Sequence, residues 1–115
     1  MIYLASPFTH PDRSIRKDRY QTTLEVTQKL LKKNIVVFSP IVYGYHMRGI
    51  ATDFRTWAPF NDEMIRRCDE LWVLTLPGWT ESRGITHECK LAWACNKSVR
   101  WMGPDRNFHL EGVKG

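Results

Sequence analysis

The chain has 115 residues, 43% of them hydrophobic, with 17 Lys and Arg against 12 Asp and Glu and a formal net charge of +5. That is enough apolar material for one compact domain with a single small core, and the basic excess favours anionic partners such as nucleotides. No run approaches the roughly 18 apolar residues of a membrane span and no charged-then-apolar leader opens the chain, so neither a span nor a signal peptide is expected, and the expected location is cytoplasmic.

Ile2-Tyr3-Leu4-Ala5 is a short β-rich run stopped by Ser6-Pro7, and it predicts a strand near the centre of a parallel sheet. On its own, Tyr3 reads as a core aromatic whose hydroxyl finds an acceptor. Ser6 to Asp12 is a loop carrying His10. Arg13 to Lys33 has helical character, with Tyr20, Leu24, Thr27 and Leu31 as the inward stripe and Asn34 as the stop. Its basic residues Arg13, Arg16, Lys17, Arg19, Lys29, Lys32 and Lys33 read as a solvated helix face. No nucleic-acid motif accompanies them, so a nucleic-acid partner is not expected.

Ile35 to Phe38 reads as the second buried strand, stopped by Ser39-Pro40 as Ser6-Pro7 stops the first. Ile41 to Thr52, with Tyr43, Tyr45 and His46, is longer than a strand-to-helix connection needs. It reads as a lid or pocket wall, or else as a surface loop that packs its tyrosines on the domain. Asp53 is an N-cap for a helix running toward Cys68, with Trp57, Phe60, Met64 and Ile65 inward. Pro59 either starts that helix or kinks it, and a kink is expected. Asn61 and Asp62 lie on this helix, where an acidic residue ordinarily faces solvent.

Leu71, Trp72, Val73, Leu74 and Leu76, bounded by Asp69-Glu70 and Pro77-Gly78, predict a third strand buried on both faces. Thr80 and Ser82 can cap the next helix, whose apolar positions Ile85, Cys89 and Ala92 recur at helical spacing. Ligands of parallel α/β sheets sit outside the carboxyl ends of the strands, where a helix N-terminus offers free N–H groups to an anion. Ser82 and Gly84 stand at that point. Glu88 follows one turn later on the same face, and its carboxylate is the candidate for chemistry.

Ser98 to Met102 alternates and predicts a fourth strand nearer an edge. Gly103 to Gly115 has no periodicity and reads as a loosely ordered tail that reaches a neighbouring subunit. Cys68, Cys89 and Cys95 are odd in number and show no CxxC spacing, so they read as reduced packing residues. His46 and His87 have no metal-ligand company, and neither a metal nor a cofactor is expected. Five tryptophans are many for so short a chain, and with some of them exposed at a partner surface a homodimer or higher homo-oligomer is expected.

The order β-α-β-α-β-α-β predicts a doubly wound α/β domain over residues 1–102, with a four- to five-stranded parallel sheet, helices on both faces and a tail at 103–115. GxGxxG, P-loop and GxSxG signatures are absent.

The opening IYLASP, the SPI after the second strand, the CDELWVL strand and the GWTESRGITHE segment together resemble the nucleoside 2-deoxyribosyltransferase-like superfamily, and a small branch of it. The resemblance runs from Met1 to about Met102, and its most specific part is Ser82-x-Gly84-x-x-x-Glu88. It implies a flavodoxin-like, Rossmann-like three-layer fold. It also implies cleavage or transfer at the N-glycosidic bond of a nucleoside or nucleoside 5'-monophosphate, with a helix glutamate as nucleophile.

By position the glutamate falls on Glu88, and the first-strand tyrosine that holds it on Tyr3. The acidic residue that contacts the base falls on Asp62, with Asn61 and Asp69 open by spacing. Where transferases acting on free nucleosides tend to carry an acid, this chain has Ser82, which is similar to relatives that hydrolyse nucleoside 5'-monophosphates. A hydroxyl with the Gly84 amide suits a phosphate, and Arg83 or His10 could add charge. Ser6 and Ser39 after the first two strands, and His46, complete the candidate binding set. Two other readings stand beside the enzyme: a non-catalytic module that binds a nucleotide or nucleotide-derived signal in the same crevice, and an oligomeric interaction protein.

Overall fold

The computed structural model describes residues 1–50, 53–105 and 110–113, with Phe54 and residues 110–113 described by backbone alone. Strands β1 (Ile2–Ala5), β2 (Val37–Phe38), β3 (Glu70–Leu74), β4 (Ser98–Met102) and β5 (Leu110–Val113) form one sheet in the order β2-β1-β3-β4-β5. The first four are mutually parallel. This is the strand order of the flavodoxin-like fold, with its topological switch point between β1 and β3.

Alternation along the strands divides the core in two. Tyr3, Ala5, Leu71, Val73 and Val99 join Ile65, Ile85, Cys89 and Ala92 on one face, under helices α3 (Phe54–Arg67) and α4 (Arg83–Ala94). Leu4, Trp72, Leu74 and Met102 join Val26 and Leu30 on the other, under helix α1 (Arg13–Lys32). Helices therefore cover both faces, as a parallel sheet requires.

Local signals set the helix ends. Asp12 caps α1 by accepting from the Ser14 amide at 2.8 Å, and Asp53 caps α3 by accepting from the Thr56 amide at 2.9 Å. Asn34 and Asn96, at φ 64° and 59°, follow α1 and α4 in the left-handed conformation that closes a helix. Pro59 lies inside an unbroken α3, which continues for two turns beyond it.

The structure corrects several expectations. Phe60 of α3, expected inward, is 39% exposed. The buried stripe of α1 is Tyr20, Thr23, Val26, Thr27 and Leu30, whereas Leu31 is 52% exposed. Thr23 and Thr27 return their hydroxyls to the carbonyls of Arg19 and Thr23, both at 2.7 Å, so these polar residues enter the interior satisfied. The second strand is a two-residue edge with Val36 exposed.

Part of the Ile41–Thr52 loop is instead a short helix, α2 (Pro40–Gly44), capped by Ser39. Beyond it Tyr45 stacks on Tyr20 with ring centroids 3.8 Å apart; Ala51 and Thr52 lie outside the described residues. Finally, residues 110–113 of the expected tail form β5, antiparallel to β4 with Met102 opposite Leu110. Residues 103–109 supply too little chain for a parallel crossover, so a strand added there runs back on its neighbour. The remaining tail positions 106–109, 114 and 115 are outside the described residues.

Among the described residues no helix is long and apolar enough to cross a membrane. Trp93 is the one exposed tryptophan among them, and Trp72 is buried in the core.

Candidate functional site

The chain leaves β3 through Pro77 and Gly78, whose φ of 92° only glycine adopts without strain. A short 3-10 turn, Trp79–Glu81, leads to Ser82, the N-cap of α4, whose Oγ accepts from the Ile85 amide at 3.2 Å. Arg19 on α1 ties this loop to the one after β1, donating to the carbonyls of Pro77 and Thr9, both at 3.0 Å, and of Phe8 at 3.4 Å. The two loops that flank the switch point are thus held by one guanidinium.

Glu88 lies in the second turn of α4, on its inner face beside Ile85, Cys89 and Ala92, and is only 8% exposed. The fully buried Tyr3, from the middle of β1, donates its hydroxyl to Glu88 Oε2. Burial pushes the Glu88 carboxyl up to about 7, with the charge of Asp62 adding to the rise and the Tyr3 hydrogen bond opposing it. Tyr3 itself is held well above its ordinary value by burial first and then by the negative charge of Glu88, so it stays a donor. The neighbouring Cys89 thiol is pushed up to about 11, by burial and then by Glu88, and is therefore packing rather than a nucleophile.

Asp62, on α3, faces this pair closely enough for its charge to act on both Tyr3 and Glu88. Its Oδ1 lies 2.8 Å from His87 Nε2, across the α3–α4 contact. The Asp62 side chain is 21% exposed and that of His87 41%, so the line Glu88, Asp62, His87 runs from the core outward. Asn61 Oδ1, beside Asp62, is buried without a hydrogen-bond partner. Asp69 belongs elsewhere: its amide bonds the Met1 carbonyl at the amino end of the strands.

From Tyr3 an aromatic cluster leads to the surface. Phe38 packs on Tyr3 at 5.8 Å between centroids and on Tyr43 at 5.6 Å. Tyr43 in turn lies parallel to Phe60 at 5.5 Å.

The expected residues thus fall into groups. Tyr3, Glu88 and Asp62 come together, and Ser82, Arg83 and Gly84 stand at the N-terminus of the helix that carries Glu88. Gly84 has ordinary room for a Cβ, the nearest atom being Ser82 Oγ at 3.8 Å, so sterics alone do not demand glycine there. Ser6, His10, Ser39 and His46 have their partners elsewhere. Ser6 Oγ lies 3.4 Å from Thr23 Oγ1, and His10 Nδ1 accepts from the Asp12 amide at 2.9 Å. Ser39 Oγ caps α2 on the Val42 amide at 3.2 Å, and the His46 ring meets Tyr20 and Tyr45 edge-on. His87 escaped sequence reasoning because its partner is on another helix, a contact that no local spacing encodes. Its position next to Glu88 was the one available hint.

Among the described residues no group of three or more His, Cys, Asp or Glu side chains is arranged to hold a metal ion.

Residues 1–104 match the family described as Domain of unknown function (DUF1937). No curated protein matches the sequence. Among solved structures the chain is similar to the 2-deoxyribosyltransferase of the psychrotolerant bacterium Bacillus psychrosaccharolyticus, with a TM-score of 0.65 and 21% identity, over 92% of this chain and 74% of that one. At that identity the likeness is one of fold.

Proposed function

The chain belongs to the DUF1937 family, and we propose that it cleaves or transfers the N-glycosidic bond of a nucleoside or nucleoside 5'-monophosphate through Glu88. The observation that carries this reading is the buried Tyr3–Glu88 pair on the helix that follows a parallel strand. A carboxylate removed from water and aimed by a phenol is the kind of group that traps an electron-poor carbon. The flavodoxin-like fold, shared with an enzyme named for 2-deoxyribosyl transfer, supports the reading at the level of scaffold.

In the proposed reaction the C–N bond breaks with its electron pair going to the base, and oxocarbenium character develops at the sugar. A Glu88 oxygen bonds to the anomeric carbon, while a proton passes to the departing base through Asp62. Water, or a second base, then attacks that carbon, displaces Glu88 with its electrons and sheds the proton that restores the one given to the first base. Ser82 and the Arg83 and Gly84 amides at the start of α4 serve the 5'-phosphate, since N–H groups there point out of the helix toward an anion. The test is to incubate the full chain with a panel of nucleosides and 5'-monophosphates, with and without an acceptor base, and to assay free base. Release that disappears in Glu88→Ala is the expected result. Release that is equal in wild type and Glu88→Ala removes the reading.

The 8% exposure of Glu88 favours a second reading. A covered carboxylate reaches substrate only when its cover moves, and a module that binds the nucleotide without turnover needs no such movement. Thermal stabilisation by a 5'-monophosphate without base release would favour that module.

A further inference from the structure

We propose that His87 is the positioning residue that holds Asp62 in place and resupplies it with the proton given to the departing base. This rests on the glycosidic reading above and adds to it a residue which that reading does not use. Three observations converge. His87 Nε2 lies 2.8 Å from Asp62 Oδ1, a contact between two helices. Asp62 acts electrostatically on Glu88 and Tyr3 on its inner side. His87 lines a surface hollow with Glu81, Arg83, Thr86 and Lys90, and its side chain is 41% exposed, so the ring meets water outside and a carboxylate inside.

A carboxylate whose charge acts on a second carboxylate gains from a partner that carries a proton to it and fixes its orientation, and an imidazole has the ring nitrogens for both. The charged groups facing His87 include Asp62 on α3 and Glu81, Arg83 and Lys90 around the hollow.

In the charged pair one proton lies between Asp62 Oδ1 and His87 Nε2. As the C–N bond breaks and its electrons go to the base, a proton passes to the base through Asp62, which leaves Asp62 a carboxylate and His87 neutral. Glu88 meanwhile bonds to the anomeric carbon. Water then attacks that carbon, the carbon–Glu88 bond breaks with its electrons returning to Glu88, and the proton shed by water recharges the pair.

The experiment compares wild type, His87→Gln and Glu88→Ala on a nucleotide substrate and on an aryl furanoside whose nitrophenol departs without protonation. On the nucleotide, His87→Gln is expected to lower kcat by about 10- to 100-fold with KM within about twofold. On the aryl furanoside it is expected to stay within about threefold of wild type, while Glu88→Ala is inactive on both. Equal kcat for His87→Gln and wild type on the nucleotide, or an equal loss on both substrates, overturns the role of His87 and leaves that of Glu88 standing. No base release by wild type removes the glycosidic reading and the relay with it.

A readout without turnover is the imidazole ¹⁵N spectrum, in which Asp62→Asn is expected to shift the His87 ring signals; unchanged signals overturn the pairing. Circular dichroism establishes that His87→Gln is folded. If it is not, His87→Asn takes its place in the same comparison.

Discussion

Glu88 is under two opposing demands, a buried place in the fold and an ionised form for chemistry. Its carboxyl is raised from 4.5 to about 7, chiefly by burial. Between those values the folded chain binds a proton that the unfolded chain has released, so stability falls as pH rises across that window. Below about pH 4.5 both states are protonated and nothing is lost, and above about 7 the cost is complete, about 3 kcal/mol. Glu88→Gln is therefore expected to match wild type near pH 4 and to exceed it by up to about 3 kcal/mol near pH 8, read from urea unfolding at the two pH values. A gap that does not grow with pH would count against a buried, titrating Glu88. Activity has the opposite sign, because the nucleophile is the carboxylate: turnover should rise with pH through about 7. Tyr3→Phe removes the hydrogen bond that lowers the Glu88 value, so the rise should move to higher pH, as a pH–rate profile would record.

At the scale of elements, Ser82 has a structural task that is separable from its proposed ligand. Its Oγ caps α4, and Ser82→Ala should cost about 1 kcal/mol of stability. Aspartate caps equally well and favours the positive end of the helix, yet its charge repels a phosphate. Ser82→Asp is thus expected to keep the melting temperature while weakening 5'-monophosphate binding relative to the free nucleoside, measured by calorimetry. Parallel losses for both ligands would remove phosphate from the account of this end of α4. The loop before Ser82 has its own constraint. A Cβ on Gly78 would stand 2.5 Å from Arg19 Nη2, at a φ of 92°. Gly78→Ala should destabilise by about 1–3 kcal/mol through backbone strain and the displaced Arg19 contact, and Arg19→Ala, which lacks the clash, should relieve part of that loss in a double-mutant cycle.

For the whole molecule, the aromatic cluster that begins at Tyr3 ends in solvent, with Tyr43 50% and Phe60 39% exposed. Two stacked rings of that size on an open surface are the kind of patch that a second copy covers. The expected assembly is a homodimer or higher homo-oligomer, and light scattering should give at least twice the chain mass of 13.5 kDa. Tyr43→Lys should shift it toward the monomer. A wild-type monomer at micromolar concentration would count against this surface as an interface. The basic side chains of α1 are consistent with a solvated face: Arg16 and Arg19 turn to loop carbonyls, while Arg13, Lys17 and Lys32 stay exposed.

Short-range chemistry made much of this protein legible from its residues alone. The strands at Ile2–Ala5 and Glu70–Leu74, the caps at Asp53 and Ser82, the stop at Asn34 and the inward set Ile85, Cys89 and Ala92 all depend on neighbours within a turn or a pleat. The face that α1 buries was legible only in part: Tyr20 and Thr27 lie inward as expected, but the stripe is turned toward Thr23, Val26 and Leu30 and away from Leu31, with Thr23 entering the core because its hydroxyl is satisfied on the preceding turn. The antiparallel β5 was not legible, since it depends on an open sheet edge. The joining of Tyr3 to Glu88 could be expected from the family resemblance but not from local spacing, and that of His87 to Asp62 was decided by the tertiary structure alone. Partners that come from different elements meet only when the sheet and its helices pack, and burial then sets the proton affinity of Glu88.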